Sequence, residues 1–172
     1  MKKIRSIAVL SVLALTACAP RYLEQQPMPV TSELPVQAPI PVDDNAAIAG
    51  RVLQQINTLR GNIGQPAIVS NAQLDAAALA HSRDMSAQNR AWHWGSDGSS
   101  PLDRVRRQGF NGTLIGENIS ETYENEIETL AAWMGARDTR DVIMDPSATQ
   151  LGFAWYKEPS GKLWWTLLTA SQ

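Results

Sequence analysis

The sequence predicts an α+β fold, because helix-like segments occupy the first part of its globular region and a β-hairpin ends it. Apolar residues first recur at helical spacing in a stripe that comprises Ala49, Val52, Leu53, Ile56 and Leu59. Residues 150–157 and 163–169 are rich in β-branched and aromatic residues, and the turn-forming residues 158–162 separate them. We therefore expect helices packed on a small antiparallel sheet.

Capping residues predict the ends of the first helix, and an apolar face predicts the second. Asn45 is suited to the N-cap of the first helix, and Gly61 to its C-terminal end. A second helix is expected over residues 71–89. Its buried face should carry Leu74, Ala78, His81 and Met85.

The middle of the chain predicts a short helix, a strand and a longer helix. Ser100 can cap the short helix, with Pro101 at its first position and Asp103 completing a capping box, and Gly109 should end it. Residues 113–120 are expected to form a strand. Residues 122–136 are expected to form a long helix, because the acidic residues at its start suit the helix dipole.

The N-terminus indicates export and lipid anchoring. A basic start and an apolar stretch over residues 7–15 predict a signal peptide over residues 1–17, too short to span a membrane as a helix. Residues 15–18, Leu-Thr-Ala-Cys, resemble a bacterial lipobox, which implies that Cys18 carries fatty acyl groups such as palmitate and anchors the chain in a membrane. Cys18 is the only cysteine, so no intramolecular disulfide is expected. Ala19 favours the outer membrane, with the domain facing the periplasm or the exterior.

Residues 18–45 are expected to form a tether, because they contain six prolines and no sustained apolar periodicity. Residues 46–172 have the size of one domain. Without the signal peptide the chain keeps 12 of its 15 basic residues and all 17 acidic ones, a net charge of −5. This charge argues against a nucleic-acid partner.

Six ordered stretches together resemble the bacterial branch of the CAP superfamily, which includes cysteine-rich secretory, antigen 5 and pathogenesis-related proteins. They are residues 56–60, 74–85, 93–105, 116–119 (Gly-Glu-Asn-Ile), 132–134 and 151–154. The resemblance covers residues 46–170 and implies an α-β-α sandwich, SCP-like, with a small antiparallel sheet and an open cleft. It also implies a secreted binding or signalling protein, since several relatives bind sterols or other lipids.

The family cleft carries two histidines and two glutamates, and in some members the histidines hold a divalent metal. By resemblance, His93 matches the first histidine and Glu117 the first glutamate. Strand geometry independently places Glu117 on one face with Ile115 and Ile119, where a carboxylate must be paired or shifted in pKa. Glu117 is therefore a site candidate, although a structural role beside a backbone amide or an arginine explains it equally well.

The second half of the family site is missing. Thr139 stands where relatives have the second histidine, and Ala136 where they have the second glutamate. His93 and Glu117 are too few ligands for tight transition-metal binding, so we expect no cofactor, with a divalent metal the weaker alternative. Asp138 is a candidate replacement acid. His81 lies on an apolar helix face and is expected to be a hydrogen-bonded core histidine.

These observations favour a non-enzymatic, lipid-anchored binding module of the cell envelope. Its cleft, with His93, Glu117 and Thr139, would bind an apolar or envelope-derived ligand, and the six tryptophans suit such recognition as well as core packing. The alternative is an envelope hydrolase that uses His93 and Glu117, with or without a metal. A structural lipoprotein with a degenerate cleft is the third hypothesis.

Overall fold

The computed structural model describes residues 45–172. The predicted signal peptide, the lipidation site Cys18 and the tether up to residue 44 lie outside the described residues. Within residues 45–172, every helix is too short or too polar to cross a lipid bilayer.

The described residues form five helices and four strands. In chain order these are α1 (Asn45–Asn62), β1 (Val69–Ser70), α2 (Ala72–Gln88), α3 (Pro101–Arg107), β2 (Thr113–Glu121), α4 (Glu126–Gly135), α5 (Arg137–Ile143), β3 (Gln150–Lys157) and β4 (Leu163–Ser171).

The four strands form one sheet in the order β1-β3-β4-β2. Both β2 and β3 pair antiparallel with β4, which confirms the predicted hairpin and small antiparallel sheet. The two-residue β1 pairs parallel with β3 and was not predicted. Helices α1, α4 and α5 cover one face of the sheet and α2 and α3 the other, so the α-β-α sandwich is confirmed.

The larger core lies between the sheet and the α1, α4 and α5 layer. Its aromatic rings pack against one another, with centroid distances of 6.5 Å from Trp133 to Phe153, 5.9 Å from Phe153 to Trp165, and 5.7 Å from Trp165 to Trp155. Such aromatic pairs add to the hydrophobic contribution of their burial. Four of the six tryptophans are therefore explained by core packing, since Trp164 is also fully buried.

The smaller core lies between the sheet and the α2 and α3 layer. It contains Leu74 of α2, Val105 of α3 and Leu168 of β4. Helix α2 approaches β3 closely at Gly152, where a Cβ atom would lie 2.4 Å from the backbone carbonyl carbon of Leu74. The predicted inner face of α2, including His81, is buried as expected.

Two helical predictions need correction. Helix α4 begins at Glu126 and not at residue 122, because Thr122 has a left-handed φ of 74° and the Asn125 side chain caps the helix by accepting from the Glu128 amide. The chain then breaks at Ala136, whose extended backbone separates α4 from the unpredicted α5.

The buried stripe of α1 ends in a charged residue. Ile48, Val52, Ile56 and Arg60 follow one another at four-residue spacing and are all buried. The Arg60 guanidinium donates four hydrogen bonds of 2.8 to 3.1 Å to backbone carbonyls. These belong to Pro66, Ile143, Asp145 and Ala148. Arg60 therefore fastens the end of α5 and the following turn to α1.

Candidate functional site

A β-bulge in β2 decides which face Glu117 occupies. Leu114 lies opposite Ala170 and Gly116 opposite Thr169, so Ile115 is the extra residue of the bulge. Ile115 packs into the larger core, whereas Glu117, opposite Leu168, points towards α2 and α3. The prediction that Ile115 and Glu117 share one face is therefore wrong, because strand alternation is interrupted between them.

The carboxylate of Glu117 is buried among polar partners and not among apolar side chains. Its side chain is 2 % exposed. His93 Nδ1 lies 2.8 Å from Oε1, and Arg104 Nη2 donates to Oε2 at 2.6 Å. A buried carboxylate stays charged only with such pairing, so Glu117 meets the expectation that it is paired.

Arg104 connects the carboxylate to the loop that carries His93. Helix α3 begins with Pro101 and a capping box between Ser100 and Asp103, and Arg104 lies in its last turn. Arg104 Nη1 donates to the backbone carbonyls of His93 at 3.0 Å and Ser99 at 3.1 Å. One guanidinium therefore positions both the Glu117 carboxylate and the backbone at His93.

Sequence reasoning missed Arg104 as a site residue. Arg104, Arg106 and Arg107 occur together in α3, and only Arg104 is buried, beside Val105. The available signal was therefore weak: an arginine next to an apolar residue on a short helix.

His81 reaches the same carboxylate from α2. It is fully buried, and its Nε2 lies 3.0 Å from the Trp92 carbonyl and 3.8 Å from Glu117 Oε1. Since a carbonyl only accepts, Nε2 carries the proton, and Nδ1 has no hydrogen-bond partner within residues 45–172. Burial lowers the pKa of His81, although the Glu117 charge opposes this shift. His81 is thus the predicted hydrogen-bonded core histidine, but its proximity to Glu117 was not predicted.

His93 is the exposed member of this group. Its side chain is 54 % exposed, and its Nδ1 donates to the ionised Glu117. In the neutral ring Nε2 is then an acceptor, and it has no hydrogen-bond partner among the described residues. Trp92 and Trp94 flank it: the Arg90 guanidinium lies 3.7 Å from the centre of the Trp92 ring, and Trp94 is 52 % exposed. The structure thus brings His93 and Glu117 together with one imidazole nitrogen facing outwards.

Thr139 is not brought into contact with this pair. It lies in α5, where its hydroxyl donates to the Trp133 carbonyl at 2.7 Å and its own carbonyl accepts from the Asn118 side chain. Asn118 lies opposite Leu167 of the larger core, so it points to the other face of the sheet from Glu117. The contacts of Thr139 are therefore those of a structural residue.

The remaining two candidates of the family site are on the surface. Ala136 is exposed between α4 and α5, and Asp138 is exposed in the first turn of α5. Neither has a contact with His93 or Glu117. Asp138 as a replacement acid is thus without support from the geometry.

The donor set does not fit a transition metal of the kind that some relatives hold. His93 Nδ1 and Glu117 Oε1 bind each other, and Arg104 occupies the second carboxylate oxygen. Within residues 45–172, no group of three or more histidine, cysteine, aspartate or glutamate side chains is arranged to hold a metal ion. Tetrahedral zinc sites use at least three protein ligands, so we derive no chemistry through a metal.

The layered fold and the histidine held by a glutamate of β2 define an α-β-α sandwich domain with its candidate site at the α2 and α3 layer. Residues 53–168 match the family model described as "Cysteine-rich secretory protein family" (CAP). This match covers more than half of the chain, and the protein therefore belongs to that family.

Solved structures share the fold at low sequence identity. An extracellular protein with an SCP domain from Bacillus anthracis has a TM-score of 0.66 and 24 % identity, over 78 % of this chain and 45 % of that one. An outer surface protein from Borrelia burgdorferi has a TM-score of 0.64 and 12 % identity, over 75 % of this chain and 96 % of that one. A cysteine-rich secretory protein from Staphylococcus aureus has a TM-score of 0.59 and 13 % identity, over 77 % of this chain and 41 % of that one.

The chain spans less than half the length of the Bacillus and Staphylococcus proteins. At these identities the likeness concerns the fold alone. No curated protein matches the sequence.

Proposed function

We propose that this protein is a binding module of the cell envelope, anchored through acylated Cys18 and held away from the membrane by residues 18–45. The module binds an apolar or envelope-derived ligand at the surface formed by His93, Glu117 and the exposed Trp94. Similar folds occur in an extracellular protein of Bacillus anthracis and an outer surface protein of Borrelia burgdorferi, which supports a place outside the cytoplasm.

The observation that carries the binding role is the half-exposed His93 ring. Glu117 fixes its orientation through Nδ1, while His81 and Arg104 donate to the carbonyls of the peptide bonds before and after His93, those of Trp92 and His93. A ligand therefore meets a preorganised polar atom, Nε2, and the next residue along the chain, Trp94, exposes half of its side chain. An apolar surface with one or a few fixed polar groups is typical of small-molecule sites.

The binding role is tested with the full chain in a Cys18→Ser background, which serves as the wild type in this test because an acylated Cys18 would itself insert into lipid vesicles. Vesicles of total envelope lipid and purified cell-wall fragments serve as the two probes. We expect one of them to retain the wild-type protein, and His93→Ala and Trp94→Ala to weaken that retention. Ile127→Ala is the matched control, because Ile127 is an exposed apolar residue on α4 in the opposite layer. If neither probe retains the wild type, the binding role is wrong.

A second candidate function is an acid–base hydrolase of the envelope. The observation that favours it is the pair of His93 Nδ1 and Glu117 Oε1 at 2.8 Å. A carboxylate that holds Nδ1–H leaves Nε2 able to take a proton from water or a substrate hydroxyl, which is the role of a general base. His93 would be the base, Glu117 its orienting partner, and Arg104 the residue that positions Glu117.

Complementation of a deletion strain separates the two functions. Glu117→Gln keeps a hydrogen-bonding side chain but removes the charge that orients and stabilises a protonated imidazole. A hydrolase should lose activity in both His93→Ala and Glu117→Gln, whereas a binding module should tolerate Glu117→Gln better than Trp94→Ala. Metal analysis of the natively purified protein is a further check, and a stoichiometric transition metal would overturn our interpretation of the donor set.

Lipid anchoring is tested separately by metabolic labelling with palmitate. We expect the wild-type chain to carry the label and to fractionate with membranes, and Cys18→Ser to lose both properties. Label in the Cys18→Ser variant would contradict the assignment of the anchor.

A further inference from the structure

A polar groove lies between α2 and α3, in the same layer as the His93 and Glu117 pair but lined by other residues. Its volume is about 240 Å³. The polar side chains that line it are those of Asp84, Ser96, Asp97, Ser99, Arg104, Arg107 and Gln108. Two carboxylates, two hydroxyls, an amide and two guanidinium groups therefore face one small space.

Hydrogen bonds hold the acidic wall of the groove in place. Asp84 Oδ1 accepts from the Ser96 hydroxyl at 2.6 Å and Oδ2 from the Ser96 amide at 2.8 Å. Asp97 Oδ1 accepts from the Ser99 amide at 2.9 Å. Gly95 leaves room for these groups, because a Cβ there would lie 2.5 Å from the Ser99 hydroxyl and 2.6 Å from Asp97 Oδ1. The bonds fix the orientation of both carboxylates.

The basic wall has donors that the protein does not use. The Arg104 guanidinium has five N–H donors, and the bonds to Glu117, His93 and Ser99 occupy three of them. Arg104 is 92 % buried, as its side chain is 8 % exposed, and the groove is a place where its remaining donors can find an acceptor. The side-chain amide of Gln108, which also lines the groove, has no hydrogen-bond partner within residues 45–172. The acidic wall therefore offers acceptors, and the basic wall offers donors.

The charges of the groove do not favour an anion. Asp84, Asp97, Arg104 and Arg107 line it, and their formal charges sum to zero. Both arginines already pair with carboxylates, Arg107 with Asp97 and Arg104 with Glu117, so neither is left as an unpaired cation for an anionic ligand. A neutral ligand rich in hydroxyl groups, each both donor and acceptor, matches the two walls without needing an unpaired cation.

From this arrangement we propose that the groove between α2 and α3 binds one unit of a neutral glycan. The volume lies just below the roughly 300 Å³ at which typical small-molecule pockets begin, so the groove holds a single ring and the rest of the chain lies on the surface. This site goes beyond the proposed function, because its lining excludes His93 and Glu117.

The test uses isothermal titration of the detergent-purified full chain with a neutral tetrasaccharide of N-acetylglucosamine. A sulfated tetrasaccharide derived from heparin is the anionic comparison. The variant is the double substitution Arg107→Ala and Gln108→Ala, which removes exposed groove side chains but keeps the Asp84 and Ser96 bonds. Arg137→Ala is the control, since Arg137 forms an exposed ion pair with Asp141 in α5, away from the groove. Circular dichroism verifies that each variant is folded.

We expect the neutral tetrasaccharide to bind the wild type and Arg137→Ala equally, and to bind the double variant at least about tenfold more weakly, a change of about 1.4 kcal/mol. His93→Ala should keep this binding, which separates the groove from the proposed ligand surface. The proposal is overturned if the wild type does not bind the neutral tetrasaccharide, if it prefers the sulfated one, or if the double variant binds as well as the wild type.

Discussion

Within residues 45–172 two arginines are buried, one on each side of the sheet, and their partners differ. Arg60 of α1 donates only to backbone carbonyls, at the end of α5 and in the loops beside it. Arg104 of α3 donates to a carboxylate, Glu117, and to the backbone that carries an exposed histidine. The first arrangement holds secondary structure together. The second keeps a paired carboxylate buried beside an exposed histidine, and the binding role that we propose uses this arrangement.

The same contrast applies to adjacent residues of β2. Glu117 points towards α2 and α3 and joins His93, Arg104 and His81. Asn118 points towards α5 and holds the Thr139 backbone. One face of the sheet is therefore an aromatic core with structural polar contacts, and the other combines a small core with a charged network.

The largest expected effect is the loss of Arg60. In Arg60→Met the side chain keeps much of its volume, but four carbonyls lose this donor, of which the Asp145 carbonyl keeps a second one from the Ala148 amide. Since each unsatisfied buried group costs at least about 1 kcal/mol, we expect the free energy of unfolding to fall by at least about 3 kcal/mol. Urea denaturation measures this, with the exposed Arg137→Met as control. Ligand retention by the folded fraction should be unchanged, and its loss would contradict a purely structural role.

The next effect is the removal of Arg104. Arg104→Met leaves the Glu117 carboxylate buried with one hydrogen bond from His93, and breaking a buried pair from one side costs about 3 kcal/mol. Adding Glu117→Leu removes the unpaired charge, so the double variant should recover most of the stability. It should not recover ligand retention, because His93 then lacks its orienting partner. A double variant that binds like the wild type would show that the charged network serves stability alone.

The fold could be predicted from the sequence more completely than the site. Helical spacing, the capping box at Ser100 and the C-terminal hairpin are local signals, and the structure contains each of them. The β-bulge at Ile115 leaves no local signal, because it depends on register with β4. For the same reason the partners of Glu117 could not be predicted: Arg104 and His81 reach it only through the packing of α2 and α3.

Resemblance to the family was a better guide to His93 than to Thr139. His93 lies beside Glu117, as the family pattern implies. Thr139 stands at a family position in the sequence, yet its hydroxyl satisfies the Trp133 carbonyl near the end of α4. A short side chain at that position cannot reach far from its own backbone, so it bonds locally.

A smaller effect is the contribution of His81 to the pH dependence of the free energy of unfolding. Burial lowers its pKa below the ordinary 6.5, so below this pH the unfolded chain binds a proton that the folded chain does not. The free energy of unfolding should therefore fall with pH from 6.5 downwards, by at most about 1.4 kcal/mol per pH unit, until the folded pKa is reached. His81→Gln keeps a donor for the Trp92 carbonyl and should lose this contribution. The exposed His93→Gln is the control, and an unchanged slope in His81→Gln would contradict the burial argument.

The smallest effect on stability should come from the substitution Trp94→Ala. Comparing it with Trp133→Ala distinguishes a tryptophan of the core from one that we propose contacts a ligand. Trp133 is 3 % exposed and packs edge-on against Phe153, so Trp133→Ala should cost at least about 3 kcal/mol. Trp94 is 52 % exposed beside His93, so Trp94→Ala should change the free energy of unfolding by less than about 0.5 kcal/mol. Urea denaturation measures both, and retention on the lipid and cell-wall probes measures binding. We expect Trp94→Ala to lose retention while it stays as stable as the wild type. If it loses stability instead, Trp94 belongs to the packing of the α2 and α3 layer and the ligand surface must lie elsewhere.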